Sequence, residues 1–226
     1  MSRVGPARRV VKRPAPARKR RRLIRLDNDE RRAQLLAMGR AAFTQYSYDE
    51  VSIDELAARA KLSKGLFYYY FPTKRDLYIA GLQETAQELV DKLTSVKLHD
   101  SSPRERAMVG VDAYLEHVAS QSQGFVALMR GGIGSDPEVA TVLEGVRISI
   151  VDEFLRGAPI SQFLKTRPLS RIAIRSWVGM VESASIEWLS SKDVAREAVR
   201  DLLVDALFDM LTRVLDPRDA DRLRSA

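Results

Sequence analysis

Lys64, Gly65, Leu66, Tyr68, Tyr69 and Tyr70 put a cation, a bare backbone, a branched methyl group and three phenols into seven consecutive positions. Those groups suit a polyanion that also carries bases. Lysine meets phosphate or a guanine edge, and leucine meets a thymine methyl. Phenols donate from stiff rings. Gly65 has no side chain, which lets the backbone approach a groove closely. Phosphate contacts fix register and base contacts carry sequence preference. Plain packing is the competing reading for each tyrosine, because tyrosine is intermediate in burial. Phe67 and Phe71 fall on the apolar side and are the better core candidates.

A segment this short needs neighbours to hold it, since a helix of about seven residues does not stand alone. Ser52 followed by Glu55 reads as a capping box, and Ile53, Leu56, Ala57 and Ala60 then make one apolar face. Ser63 is a second N-cap, opening Lys64–Tyr70. Pro72 ends that segment, and Thr73 with Asp76 opens the next helix. Two short helices, a tight turn and a capped third helix form the layout of a helix-turn-helix for duplex DNA.

The run Ser63-Lys64-Gly65-Leu66-Phe67-Tyr68-Tyr69-Tyr70-Phe71-Pro72-Thr73-Lys74 resembles the signature of TetR/AcrR-type bacterial transcriptional regulators, Ser-Lys-Gly-Thr-Leu-Tyr-x-Tyr-Phe-x-x-Lys. The similarity extends from about Arg31 to Leu77. The resemblance implies an all-α homodimer: a three-helix DNA-binding domain, then a helical ligand-binding and dimerisation domain. It implies that Ser52, Lys64, Tyr68, Tyr70 and Lys74 hold phosphates, and that Gly65, Leu66 and Tyr69 face base edges. Among the departures from the family's usual residues, three bear on backbone conformation and contacts. Lys61 and Ser47 stand where the family often has glycine, and Leu66 replaces threonine, removing a hydroxyl from the reading surface. If Lys61 takes a positive φ, the strain is on the order of 1 kcal/mol.

The net charge of +7 is unevenly distributed. Residues 1–26 hold eleven Lys or Arg and no acid; residues 27–80 balance; residues 81–226 carry an excess of four acids. Pro6, Pro14 and Pro16 leave no helical or strand pattern, so the segment to about Pro16 is expected to be disordered when free. We therefore divide the chain into a basic arm (1–26), a helix-turn-helix domain (27–73) and a ligand and dimer domain (74–226). Arg20, Arg21 and Arg22 in the arm are candidates for phosphate or minor-groove contacts. A solubilising tail or a mis-assigned start codon is the alternative.

The remaining sequence reads as helices. Residues 28–46 brace the head, and residues 74–97 link it to the larger domain. Further helices run from Ser102-Pro103 to about Gln121 and from Ser135 to about Arg156, the latter opened by Ser135-Asp136-Pro137-Glu138 as a capping box. Gly124–Arg130 is a short apolar segment, and residues 157–167 form a loop. Two final helices span about 168–190 and 193–214. The last is apolar around most of its axis, which fits coverage by a second copy, with a monomer core helix as the alternative.

An effector pocket is implied by the resemblance. Its candidates are Tyr114, His117, Val118, Phe125, Leu128, Met129, Ile148, Val151, Phe154, Trp177, Met180 and Val181, and each is also an ordinary core residue. Together they favour an apolar or amphipathic ligand, with Arg130 and Arg147 available for an acidic head. Gln123–Val139 is similar to the corresponding part of regulators that sense fatty acyl compounds.

These observations point to a ligand-responsive, sequence-specific DNA-binding regulator, a repressor released from a palindromic operator. No cofactor or metal is expected. Zero cysteines remove disulfides and thiolate metal sites, and fit a cytoplasmic, nucleoid-associated protein. No apolar run of about 18 residues is present, so no membrane partner is expected. An enzyme is disfavoured: His99 and His117 lack an acid dyad, and no phosphate loop or nucleophile elbow occurs. The rival functions are a nonspecific architectural DNA binder driven by the arm, and a regulator acting through a protein partner. Deleting residues 1–22 is expected to weaken DNA binding and flatten its salt dependence, read from affinities across a salt series. An unchanged slope removes the arm from the interface.

Overall fold

A computed structural model describes residues 17–94, 101–130, 132–157, 168–191 and 193–225, and among these the chain is all-α. The head comprises α1 (Ala17–Gln45), α2 (Ile53–Arg59) and α3 (Lys64–Tyr70). The long α4 (Lys74–Thr94) leads into α5 (Pro103–Ser120) and α6 (Ser122–Arg130). A 3-10 turn (Gly132–Ser135) precedes α7 (Pro137–Gly157). Then come α8 (Pro168–Ser190), α9 (Arg196–Val214) and a short α10 (Pro217–Ser225). The expected helices are present, with two differences in extent. The first begins at Ala17, inside the basic run, because no proline follows Pro16 until Pro72 and Arg, Lys and Leu are good helix formers. The segment expected to be disordered, up to about Pro16, lies outside the described residues, and the rest of the basic arm, Ala17–Leu26, is helical. A final helix after Asp216 was also missed. Residues 1–16, His99 and the 158–167 loop lie outside the described residues, as do the side chains of Arg20, Arg21, Arg22 and Phe154.

Local capping explains where the head's helices begin. The Ser52 hydroxyl accepts from the Glu55 amide at 3.4 Å, and Ser63 accepts from Leu66 at 3.2 Å. Thr73 and Asp76 satisfy each other reciprocally: the Thr73 amide donates to the Asp76 carboxylate at 2.9 Å, and the Asp76 amide donates to the Thr73 hydroxyl at 3.0 Å. The turn between α2 and α3 passes through Lys61 at φ 56°, the left-handed conformation that a glycine would take without strain. Ser47, by contrast, keeps a negative φ; its amide and hydroxyl both donate to Glu50, at 2.8 and 2.7 Å.

Two apolar clusters fill the interior. The head cluster, built on Leu35, Phe67, Phe71 and Leu77, also takes in Leu128 of α6 and Val139 of α7. The body cluster centres on Leu115, Val118, Ile174, Leu203, Leu207 and Leu211. Trp177 joins α8 to α9 by donating its indole N–H to the Leu203 carbonyl at 2.8 Å.

The two clusters are joined by close backbone approach and by a charge clamp. A Cβ on Gly124 would lie 2.3 Å from the Phe43 carbonyl oxygen, so α6 touches α1 only because residue 124 lacks one. Arg75, in the first turn of α4, grips Asp136 through Nε and Nη2, each at 2.7 Å, and Glu138 through Nη1 at 3.0 Å. Asp136, rather than Ser135, caps α7: one carboxylate oxygen accepts from the Glu138 and Val139 amides at 3.0 and 3.4 Å. Ser135 is consumed by the 3-10 turn. The Arg75 hydrogen bonds, helped by those two amides, hold the Asp136 carboxyl down to about 2.

Two outcomes follow from these contacts. Gly124→Ala is expected to cost about 1–3 kcal/mol in urea unfolding, as overpacking against fixed backbone does; unchanged stability would show that α6 is free to shift. Because the folded-state pKa of Asp136 is depressed, its contribution is complete above about pH 4 and is lost as pH falls through about 2. Asp136→Asn keeps a capping oxygen and removes the charge. The gap in Tm between wild type and this variant is expected to hold at neutral pH and to close on acidification over that range. A gap that persists at about pH 2 would exclude the carboxylate charge as its source.

Candidate DNA interface and effector cavity

The outer face of α3 carries Lys64, Gly65, Leu66 and Tyr69, all exposed, with Tyr69 at 70%. Its inner face carries Phe67 and Phe71, which are fully buried. Tyr68 is half-buried, edge-on to Phe67 at 6.5 Å. Tyr70 is half-buried and donates its hydroxyl to the Asn28 side-chain oxygen at 3.2 Å, anchoring α3 to α1. The Arg32 guanidinium sits 4.8 Å from the Phe71 ring centre on the same side. Lys64 reaches back to Asp54 of α2 at 2.8 Å, and that carboxylate raises the pKa of the ammonium. A Cβ on Gly65 would meet no atom of the protein within 4 Å, so packing within the chain does not demand glycine there.

Lys74 has a second occupation. Its ammonium donates to the carbonyls of Val51 at 2.9 Å and Asp49 at 3.2 Å and lies 4.6 Å from the Tyr48 ring centre. It holds the connection between α1 and α2. Nothing in the twelve-residue motif signals those partners, because they lie in a loop more than twenty residues away.

A cavity of about 290 Å³ lies between the head and the body. One wall is the face of α5 bearing Pro103, Arg106, Ala107, Gly110, Val111, Tyr114, His117 and Val118, a continuous helical stripe. The facing wall is the stripe of α4 from Tyr78 through Gly81, Leu82, Thr85, Ala86 and Leu89 to Leu93. Each stripe spans sixteen residues, about 22 Å end to end at helical rise. Arg40, Phe43 and Thr44 of α1, with Gln121, Gly124 and Phe125, close the end nearest the head. Leu128 and Met129 of α6, Leu143, Val146 and Ile150 of α7, and Trp177, Val178, Val181 and Glu182 of α8 complete the lining.

Eight of the twelve sequence candidates line this space: Tyr114, His117, Val118, Phe125, Leu128, Met129, Trp177 and Val181. Ile148 is instead 42% exposed, Val151 is packed in the body core, and Met180 packs half-buried against that core. The sequence alone cannot tell which turns of α7 and α8 face inward when both sides are apolar. The candidates for an acidic head are also displaced from the lining. Arg130 is exposed, and Arg147 is engaged by Glu182 at 2.7 and 3.0 Å. The wall from α1 and α4 was missed, because those helices read as brace and lever. The signal was present in the small residues Gly81, Thr85 and Ala86, which recur on one face.

The polar groups around the cavity are mostly matched. Arg40 is gripped by Glu88 at 2.8 Å and by Glu84 at 3.1 Å. Thr44 and Gln121 share a hydrogen bond of 2.7 Å. Burial, assisted by Lys92 and Arg40, pushes the His117 pKa down against the opposing pull of Glu88, so the imidazole is neutral at pH 7. Burial likewise raises the Tyr114 phenol far above its ordinary value.

Comparison with known proteins places this architecture. Residues 35–80 match the family described as bacterial regulatory proteins, tetR family, and residues 103–210 match the tetracyclin repressor-like C-terminal domain. The HTH-type transcriptional activator FasR of Mycolicibacterium smegmatis is 35% identical over 133 residues, covering 59% of this chain and 60% of FasR. YuxN of Bacillus subtilis, an HTH-type transcriptional regulator, is 28% identical over 47% of this chain. The chain thus spans 60% of FasR and 37% of YuxN, less than two thirds of either. The crystal structure of a tetR-family transcriptional regulator from Streptomyces coelicolor superposes with a TM-score of 0.76 at 30% identity, covering 87% of this chain and 88% of that one. FadR of Bacillus subtilis, solved in complex with stearoyl-CoA, shares the fold at 14% identity, with a TM-score of 0.62 over 77% of this chain and 96% of FadR. The capped helix-turn-helix, the helical body behind it and these matches agree: the chain belongs to the TetR family of DNA-binding bacterial transcriptional regulators.

Proposed function

We propose that this protein is a homodimeric, sequence-specific regulator that leaves a palindromic operator when an apolar effector, a fatty acyl compound, fills the cavity. The observation that carries this reading is the composition of the cavity wall. Tyr78, Gly81 and Leu82 of α4 and Phe43 and Thr44 of α1 line it, and the same two helices hold α3. A ligand that fits one placement of α1 and α4 better than another changes where α3 sits. Affinity without that difference moves nothing. The long apolar stripes on α4 and α5 suit an alkyl chain, in keeping with FadR solved with stearoyl-CoA.

The reading face assigns roles to the exposed groups of α3. Lys64 exchanges its weak surface pair with Asp54 for a phosphate or a guanine edge. Tyr69 and Leu66 face bases, and the open space at Gly65 admits the groove. Ser52, Tyr68, Tyr70 and Lys74 flank the backbone, and Arg20–Arg22 extend the basic track at the start of α1. Leu169 and Ile172 of α8 and Leu202 of α9 are more than half exposed, an apolar surface that a second copy would cover. A two-fold dimer presents two copies of α3 to successive major-groove faces, so the site is palindromic. We assign repression as the output. FasR is called an activator, and a ligand that displaces the protein from DNA is compatible with either sign.

The test is selection of random duplex DNA at about 0.15 M salt, a concentration that suppresses nonspecific phosphate binding, with a Lys64→Ala, Tyr69→Ala double variant in parallel. The wild type is expected to recover a palindrome. The variant is expected to lose it while its Tm is nearly unchanged, since both side chains are exposed. Recovery of every sequence alike, with or without the substitutions, would make the protein a nonspecific architectural binder.

A further inference from the structure

Two guanidinium groups line the cavity, and they are in opposite states. Arg40, near the head, is neutralised by Glu84 and Glu88. Arg106 lies at the far end, in the first turn of α5, beside Pro103 and across from Leu93. One of its terminal nitrogens donates to the Ser101 carbonyl. The other, Nη2, is buried and has no hydrogen-bond partner. Among the described residues no carboxylate forms an ion pair with it. Arg75 and Arg147, which bridge elements, each have a bidentate carboxylate. A buried cationic donor without an acceptor is an unfavourable arrangement that an incoming anion relieves, and a guanidinium is shaped to receive two acidic oxygens.

We propose that Arg106 is the anchor for the acidic head, a carboxylate or a phosphate, of an amphipathic ligand whose alkyl chain runs between α4 and α5 toward Phe43 and Leu128. This inference rests on the reading of the cavity as the effector site and adds the chemistry and polarity of its occupant. Arg106 supplies charge and direction at one end, while the stripes from Leu93 to Tyr78 and from Ala107 to Val118 are apolar over most of their length. The head group lies at the end away from the DNA-reading helix, and the tail points toward it. Arg106 therefore takes the role that the sequence reading offered to Arg130 and Arg147.

Calorimetric titration of the full chain with dodecanoate, dodecanol and dodecanoyl-CoA tests this, using wild type, Arg106→Gln and Arg106→Lys. The wild type is expected to bind dodecanoate about 10- to 100-fold more tightly than dodecanol, the range for charge-assisted hydrogen bonds to one buried cation. Arg106→Gln is expected to abolish that ratio and leave dodecanol binding unchanged, which also shows that the variant is folded. Arg106→Lys should retain part of the preference. A loss confined to dodecanoyl-CoA would assign the anion to phosphate rather than carboxylate and still place it at Arg106. Equal binding of acid and alcohol by the wild type, or a ratio unchanged in Arg106→Gln, in either case with dodecanoyl-CoA binding also unchanged in that variant, overturns the anchor and leaves the apolar cavity reading standing. If Arg106→Gln binds none of the three, the anchor fails unless Arg106→Lys keeps the acid preference. No binding of any of the three by the wild type overturns the cavity reading and the anchor together.

Discussion

The Arg75 clamp fixes where the DNA-reading head stands on the body. A single guanidinium in the first turn of α4 holds both carboxylates at the start of α7, and one of these, Asp136, is also that helix's cap. The two functions reinforce each other. The cap aligns the carboxylate with the free amides of α7, and the guanidinium keeps it charged. Since only three residues separate the end of α3 at Tyr70 from the start of α4 at Lys74, displacement of α4 against α7 must carry α3 with it.

That constraint gives the apolar contacts their direction. Leu128 and Val139 belong to the head's own core although they lie on body helices, so the head is not a separate unit that merely leans on its neighbour. Gly124 brings α6 against the Phe43 carbonyl at the C-terminal end of α1. The stacked and edge-on rings of Phe43, Tyr48 and Tyr78 tie α1, the following loop and α4 into one aromatic knot. Phe43 and Tyr78 also border the cavity. Filling the cavity thus acts on the same side chains that seat the head, through packing rather than through any distant relay.

The charges around the cavity divide along the same axis. Near the head, Arg40 is matched by two glutamates, and Thr44 is matched by Gln121. The middle is apolar, with a neutral His117 and a protonated Tyr114. At the far end one guanidinium nitrogen is left without an acceptor. An amphipathic ligand in this cavity would be oriented by that asymmetry, because the walls of α4 and α5 are alike in kind along most of their length.

Local chemistry made much of this protein legible in its sequence. The N-caps Ser52, Ser63, Thr73 and Ser102 act within three residues of themselves, so helix starts are written where they occur. The split of α3 into Phe67 and Phe71 inside and Lys64, Leu66 and Tyr69 outside follows from helical periodicity. The left-handed turn at Lys61 stands where the family often has glycine, a signal that did not hold at Ser47. Pairings between residues far apart in the chain had no such signature. Arg75 with Asp136 is separated by sixty-one residues, Lys74 with Val51 by twenty-three, and neither partner's surroundings announce the other. The cavity's α1 and α4 walls, the outward turn of Ile148 and the unmatched nitrogen of Arg106 likewise depend on which helix faces which. The sequence determined the helices, their caps and the reading face, because those are set by neighbours one to four residues away. Only the tertiary structure decided the clamp, the cavity and its charge, because helices apolar on several sides can pack in more than one way until long-range contacts choose.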